Sequence, residues 1–227
     1  MGAESPPKLT QNLYSYVSED DSDDSVIKEM KNRNMLSSML NEETTSSILP
    51  YIIDDDDDRV FVAGSKIDYG FYGNNILPSK LYESNGEKNG NPIYEANIKV
   101  LSYDDYGNPT EIQNLKTGVN SVFLWDESGR YMTALIKNTT YAEVKKVSLT
   151  GNSQSRYATL KAKFPNAMIQ TWDYKPLIGV SSYTDVTGKT IVYEYDGLGR
   201  LKAEKRKVNG VTNPETLREY EYNYKNK

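Results

Sequence analysis

The side chains that could do chemistry in this sequence are carboxylates, hydroxyls, amines and aromatic rings, because its 227 residues include no Cys and no His. This composition excludes Ser-His-Asp and Cys-His catalysis, zinc sites built from Cys and His, and internal disulfides. Paired carboxylates can hydrolyse glycosidic bonds, but with 32 acidic residues some pair always lies at a suitable distance. We therefore predict no enzymatic activity, no cofactor and no catalytic or metal-binding residue.

The clearest acidic cluster is the run Asp54–Asp58. Carboxylate oxygens bind calcium, but this run lacks the Asp-x-Asp-x-Asp-Gly arrangement of a calcium loop, and a solvated turn is the favoured interpretation. Across the chain, 27 basic and 32 acidic residues give a net charge of −5. This balance provides no general basic field for nucleic acid, and no apolar run approaches the roughly 18 residues of a membrane span.

Aromatic rings are the remaining candidates for ligand contacts, since the chain has 19 Tyr and 2 Trp. Aromatic side chains anchor many binding surfaces, so Trp172 and Tyr174 are candidate ligand-stacking residues. Burial within the sheet is nevertheless the favoured interpretation for Trp172, and more strongly so for Trp125, because large aromatic side chains usually end up mostly buried. Tyr also favours pleated, half-buried surfaces, and this composition indicates β structure.

The apolar pattern predicts how these residues are positioned. Helical spacing of apolar residues predicts a helix over residues 25–40, with Asp24 or Ser25 as its N-cap. The period changes to two from Ile48 onward, and short strand-like runs follow, each ending in turn-forming residues. A helical pattern over 153–164 interrupts them, with Pro165 as its stop.

These elements predict two regions. Residues 1–47 form a polar N-terminal segment with a short helix near 25–40. Residues 48–227 form a β-sheet region, interrupted by a helix near 153–164.

Three segments repeat one pattern: an aromatic residue, Asp, two variable residues, Gly, then Arg or Asn. The copies run over Tyr103-Asp104-Asp105-Tyr106-Gly107-Asn108, Trp125-Asp126-Glu127-Ser128-Gly129-Arg130 and Tyr195-Asp196-Gly197-Leu198-Gly199-Arg200. The first two aromatic residues are 22 positions apart, and Tyr174 precedes Tyr195 by 21. Periods of about 20–50 residues are typical of repeat architectures.

The repeated residues have a physical interpretation as a β-hairpin. The aromatic residue ends one strand, Asp accepts backbone N–H groups inside the turn, and Gly supplies the positive φ that closes it. Arg or Asn then begins the return strand. Because a lone hairpin is marginal in water, the pattern predicts hairpins that stabilise one another side by side.

The aromatic-Asp-x-x-Gly-Arg unit resembles the YD repeat of the RHS (rearrangement hot spot) superfamily. The segments Trp172–Val180, Thr184–Lys189 and Tyr193–Leu201 are similar to one region of large bacterial YD-repeat proteins. The resemblance is convincing over roughly residues 93–207, and residues Tyr220–Tyr224 resemble the opening of another repeat. It implies an open, twisted antiparallel sheet of consecutive β-hairpins, cut from a much longer protein.

The resemblance also implies a function and partners. We expect a non-enzymatic repeat module of a shell or surface scaffold in a secreted or cell-surface protein, whose signal peptide lies upstream of this chain. Its expected partners are the flanking repeats, an encapsulated C-terminal toxin or a cell-surface glycan, with self-association through sheet edges. The alternative is a glycan- or protein-binding module that uses the Tyr- and Trp-rich faces. The family's self-cleaving segment is not evident, so that activity is not carried over.

Overall fold

The computed structural model describes residues 8–48, 60–84, 86–88, 91–207 and 214–222. The prediction for Asp54–Asp58 therefore lies outside the described residues. The strands are β1 (Lys8–Tyr16), β2 (Met39–Ile48), β3 (Val60–Tyr72), β4 (Asn75–Ser84), β5 (Glu87–Lys88), β6 (Asn91–Pro92), β7 (Glu95–Tyr103), β8 (Pro109–Asn114), β9 (Asn120–Trp125), β10 (Met132–Lys137), β11 (Met168–Lys175), β12 (Gly179–Thr184), β13 (Thr190–Tyr195), β14 (Leu201–Lys207) and β15 (Glu215–Glu219). The α-helices are α1 (Ser25–Asn32), α2 (Tyr141–Val144) and α3 (Ser153–Lys163).

The sheet confirms the predicted fold class. The structure is 53% strand, and thirteen of the described strands form one antiparallel sheet that is not closed. Their order is β1-β2-β3-β4-β7-β8-β9-β10-β11-β12-β13-β14-β15, while β5 and β6 form a separate two-stranded sheet. Sequence order and spatial order therefore coincide, as expected for consecutive hairpins.

The described residues divide into two compact units. One contains the residues up to Leu101 together with Gln113–Gly118, and the other contains Ser102–Ile112 and the residues from Val119 onward. In the first unit the core is built by residues that are buried or nearly so, namely Val17, Ile27, Met30 and Ile76. Helix α1 contributes to this core, and the Asp24 side chain caps its start by accepting N–H bonds at 2.7 and 3.1 Å.

The N-terminal region differs from its sequence prediction in two ways. Helix α1 ends at Asn32 rather than near residue 40, because Asn34 adopts a positive φ of +57° and the Met35 N–H bonds back to the Met30 carbonyl. The segment before the helix forms β1, which pairs with β2 from Lys8↔Ile48 onward. Strand pairing across 40 residues overrides the polar local sequence.

The core of the second unit lies between one sheet face and the helices. Strands β9, β10 and β11 contribute fully buried side chains, as do α2 and α3 (Val122, Ala134, Ile136, Ile169, Val144 and Leu160). Helix α3 agrees closely with the predicted span, since Asn152 caps its start through the Ser155 N–H at 3.0 Å.

A polar network fixes the start of α3 on the sheet. The Asp173 carboxylate accepts bonds from the Ser182 hydroxyl at 2.6 Å, the Ser153 N–H at 2.7 Å and the Arg156 guanidinium at 2.7 Å. Burial on its own raises the pKa of Asp173, but these hydrogen bonds outweigh it and hold the pKa below its usual value. Through these bonds the Asp173 carboxylate joins α3 to β11 and β12.

Candidate functional site

Four turns share one hydrogen-bond geometry. Each begins with an Asp and is closed three residues later by a Gly (Asp104–Gly107, Asp126–Gly129, Asp185–Gly188 and Asp196–Gly199). In every turn the Gly N–H donates to the Asp carbonyl at 2.9–3.1 Å, and the Gly has a positive φ, of +86°, +67°, +84° and +75° in chain order. One Asp side-chain oxygen also accepts the backbone N–H four residues on, at 2.8–3.0 Å. Asp and Gly are thus required by the geometry of the turn.

The flanking residues of these turns have separate roles. Arg200 forms an ion pair with Asp196 at 2.6 Å and lies 4.2 Å from the centre of the Tyr222 ring. The hydrogen bond from Arg200 lowers the pKa of Asp196. Arg130 is exposed and contributes its backbone N–H to the turn. Tyr103 is half-buried at the end of β7.

The three repeat copies found in the sequence do not include the Asp185 turn, although the segment Thr184–Lys189 is among those similar to YD-repeat proteins. Its Asp-x-x-Gly spacing matches, but Thr184 occupies the position where the other copies have an aromatic residue. Thr184 is fully buried and its hydroxyl lies 2.9 Å from that of Thr190. The Asp-to-Gly spacing by itself is therefore the signal that identifies this turn.

A second contact occurs four times among the described hairpins and joins a strand to the return strand before it. The polar tip of an aromatic residue donates to a backbone carbonyl at the start of the preceding return strand. The four pairs are Trp125 Nε1 to Pro109 O (2.9 Å), Tyr174 Oη to Met132 O (2.8 Å), Tyr195 Oη to Val180 O (2.7 Å) and Tyr222 Oη to Leu201 O (2.8 Å). We call this contact the aromatic clasp.

The chemistry of the aromatic clasp explains the residue type at its position. Tyr and Trp combine a large apolar body with a hydrogen-bond donor, whereas Phe has no donor. A tyrosine hydroxyl is protonated at neutral pH and can donate, and burial raises the pKa of both Tyr174 and Tyr195 further.

The turns at one end of these hairpins also contact one another. The Tyr106 hydroxyl donates to the Glu127 carbonyl at 2.9 Å, and the Asn108 side chain donates to the Gly129 carbonyl at 2.7 Å. Further along, the Leu177 N–H donates to the Tyr131 hydroxyl at 3.1 Å. We call these turns, which span 104–108, 126–131, 175–179 and 196–200, the turn row.

The sheet face opposite α3 carries the candidate ligand-stacking residue Trp172. Its neighbour Thr171 is fully buried on the helix side, so strand alternation directs Trp172 to the other face. There it stacks on Tyr183 with ring centroids 5.4 Å apart. Both rings line a depression of about 410 Å³, together with Val180, Tyr193, Tyr195 and Leu201. We call this the aromatic depression.

The other candidate stacking residue, Tyr174, has a different environment. Its ring stacks on Tyr131 at 4.8 Å, and its hydroxyl forms an aromatic clasp. The structure therefore does not bring Trp172 and Tyr174 together in the aromatic depression.

A separate cavity of about 510 Å³ lies in the first unit. Its lining mixes acids and lysines, and its acids have partners: Asp24 caps α1, while Asp68 accepts a bond from the Tyr82 hydroxyl at 2.6 Å. That bond raises the pKa of Tyr82 to about 12. Within the described ranges, no group of three or more His, Cys, Asp or Glu side chains is arranged to hold a metal ion.

The fold and the turns define a class of protein: an open antiparallel sheet of repeated hairpins. No family model matches the chain, and no curated protein matches it significantly. It is similar to a solved structure of TcdB2-TccC3-Cdc42, with a TM-score of 0.47 and 10% identity over 88% of this chain and 11% of that chain. A TcdB2-TccC3 structure gives a TM-score of 0.46 and 10% identity over 88% and 11% of the two chains.

A structure of the Photorhabdus luminescens Tc holotoxin pore with a mutated TccC3 gives a TM-score of 0.42 and 11% identity, over 82% of this chain and 10% of that chain. The chain thus spans about a tenth of the length of the chains that it matches. Likenesses at this identity and TM-score assign neither a family nor a function to it. No helix among the described residues is long and apolar enough to cross a membrane.

Proposed function

We propose that this chain is a non-enzymatic structural module of a larger YD-repeat protein, in which it forms part of a shell or scaffold that is secreted or exposed at the cell surface. The observation that supports this proposal is the aromatic clasp. It occurs four times with the same chemistry and always joins a hairpin to the one before it. A contact that recurs along successive hairpins serves the growth of a sheet along its length.

The positions of the repeated carboxylates favour this role over catalysis. Asp104, Asp126 and Asp196 each accept backbone N–H bonds within their own turns. A general acid or nucleophile must instead reach a bound substrate. We therefore expect no glycosidase activity, and amide substitutions at these residues are expected to reduce stability only.

The size of the native protein tests the proposal. An antibody raised against the purified chain, applied to extracts and culture medium of the source cells, is expected to detect a band far larger than 25.7 kDa. Pre-absorption with the purified chain provides the control, because it must remove the signal. A native protein of 25.7 kDa would contradict the proposal, since a chain of that size has no flanking repeats to join.

A second candidate function is ligand binding at the aromatic depression. Four aromatic rings line it, and two of them, Trp172 and Tyr183, are already stacked. Such a surface could bind the apolar face of a sugar ring or an apolar peptide side chain. A glycan array would test this candidate, with Trp172→Ala expected to abolish binding. Tyr106→Ala is the control, because Tyr106 is an exposed aromatic residue outside the depression.

A further inference from the structure

The turn between β11 and β12 carries an unusual residue. The Ile178 N–H donates to the Lys175 carbonyl at 3.0 Å, Pro176 occupies the second position, and Leu177 at the third has a φ of +63°. These features are typical of a type II turn, whose third position is usually Gly or Asn because a side chain disfavours positive φ. The turn therefore places a bulky residue in a strained conformation.

Packing within the chain does not explain this leucine. The Leu177 side chain is 93% exposed, so it buries almost no apolar surface. The hydrogen bond that holds the turn to the Tyr131 hydroxyl uses the Leu177 backbone N–H, which any residue except Pro would provide. Backbone strain that persists without a local structural benefit is often associated with function.

Leu177 is also part of a group. In the adjacent turn Leu198 is 72% exposed, and Ile178 is 37% exposed. The two turns are neighbours, because a side chain built on Gly199 would lie 3.8 Å from Ile178. We call Leu177, Ile178 and Leu198 the leucine tips. Exposed apolar residues that cluster in neighbouring turns can mark an interaction surface.

The same unit contains a concave apolar surface beside the leucine tips. The aromatic depression is lined by Val180, two residues after Ile178, and by Leu201, three residues after Leu198. Its volume of about 410 Å³ has room for a leucine side chain. When a projecting apolar group lies next to an apolar hollow, two copies related by a twofold axis can fill both hollows at once, because each copy inserts its own projection into the other.

Charges near the two surfaces are also complementary. Lys175 is exposed at the base of the leucine tips. Glu204 lies opposite Tyr193 on β13, on the sheet face that carries the aromatic depression. Attraction between the lysine of one copy and the glutamate of another would favour a twofold pairing. The Glu204 carboxylate also accepts a bond from the Tyr220 hydroxyl at 2.6 Å within its own chain.

We propose that two copies of this chain form a twofold dimer in which the leucine tips of one copy enter the aromatic depression of the other. This interface is distinct from pairing at sheet edges, and it does not depend on the shell or scaffold role. Bilayer insertion of the leucine tips is the competing explanation, and the experiment distinguishes the two.

Sedimentation velocity over a concentration series of the full chain tests the proposal. Because a twofold dimer contains each contact twice, Leu177→Gly is expected to raise the dimer dissociation constant about 100-fold. Leu198→Ser and Trp172→Ala are expected to weaken the dimer as well. Leu177→Gly also relieves the strained turn, so thermal melting at or above the wild-type temperature shows that the variant is folded.

Two comparisons make the test specific. The double variant Leu177→Gly/Trp172→Ala is expected to lose less dimerisation free energy than the two single variants together, because both substitutions remove the same contact. Leu13→Lys on β1 and Leu217→Lys on β15 alter the two end strands of the sheet and are expected to leave the dimer unchanged.

Three results would overturn the proposal. One is a wild-type chain that stays monomeric at every concentration. A second is a dimer that the β1 or β15 substitution disrupts and Leu177→Gly does not. The third is a monomer that co-sediments with phosphatidylcholine–phosphatidylserine vesicles in a manner that requires Leu177, which would assign the leucine tips to a lipid surface.

Discussion

Gly129 and Gly199 occupy the same position in two repeat turns, but their surroundings differ, and this difference yields a quantitative prediction. Both have a positive φ, of +67° and +75°. A Cβ built on Gly129 would overlap the ring of Tyr106, in the neighbouring turn of the turn row. A Cβ on Gly199 would meet nothing nearer than Ile178, at 3.8 Å. Alanine at position 129 must therefore displace Tyr106, whereas alanine at 199 displaces nothing.

The expected destabilisation follows from these distances. A left-handed backbone costs a non-glycine residue about 1–2 kcal/mol, and this term applies equally to Gly129→Ala and Gly199→Ala. Displacing Tyr106 also breaks the bond from its hydroxyl to the Glu127 carbonyl, which contributes about 0.5–1.5 kcal/mol. Since Tyr106 is 66% exposed, little packing is lost with it. We expect about 1.5–3.5 kcal/mol for Gly129→Ala and about 1–2 kcal/mol for Gly199→Ala, so that Gly129→Ala costs more by the Tyr106 term of about 0.5–1.5 kcal/mol.

Guanidinium unfolding followed by Trp fluorescence measures both values, and Tyr106→Ala supplies the background that isolates the contact. In that background Gly129→Ala is expected to cost no more than Gly199→Ala, because the displaced ring has gone. Equal destabilisation by the two glycine substitutions in the wild-type background would refute the reasoning. The reasoning would also be refuted if Gly129→Ala still cost more than Gly199→Ala in the Tyr106→Ala background, since the extra cost would then have another cause.

Three further predictions concern the aromatic clasp, the α3 network and the strained turn. Tyr195→Phe loses the bond to Val180 and is expected to lower the free energy of unfolding by about 1 kcal/mol; an unchanged denaturant midpoint would contradict the clasp. The pKa of Asp173 is lower in the folded chain than the 3.8 of a free Asp. The ionised carboxylate therefore stabilises the folded chain fully above about pH 5, and this stabilisation is lost as the pH falls through the pKa of Asp173 in the folded chain. Asp173→Asn should therefore melt at a lower temperature than the wild type at pH 7, and its melting temperature should change less as the pH falls below about 4. A difference in melting temperature between the two proteins that stays constant with pH would contradict this. Leu177→Gly is expected to stabilise the chain by up to about 1 kcal/mol in the same unfolding assay, and destabilisation would show that Leu177 packs within its own chain.

Signals that act within a few residues were sufficient to predict several elements. Helix α3 starts at an Asn cap and ends just before Pro165, and both residues act on the adjoining backbone. The Asp-to-Gly spacing likewise indicates turns, because the carboxylate and the glycine satisfy the same short loop. The mainly β fold class and the antiparallel hairpins follow from period-two runs separated by such turns.

Contacts between distant residues were not predictable in this way. Residues 8–16 are polar and carry no clear strand pattern, and they form β1 because β2 supplies hydrogen bonds from more than 20 residues away. Tyr174 was a candidate for ligand stacking, but its ring lies against Tyr131 and its hydroxyl bonds to Met132. Nothing near Tyr174 in sequence specifies either partner.

The sequence by itself therefore determined the local geometry of the repeat: strand, Asp-Gly turn and return strand, with an aromatic residue at a fixed position. Tertiary structure alone decided what that aromatic residue contacts, which glycine faces a neighbouring ring, and that Leu177 is exposed beside the aromatic depression. The physical reason is the range of the interactions. Turn geometry depends on backbone torsions and hydrogen bonds within about five residues, whereas the aromatic clasps, the turn row and the depression exist only after separate hairpins have paired.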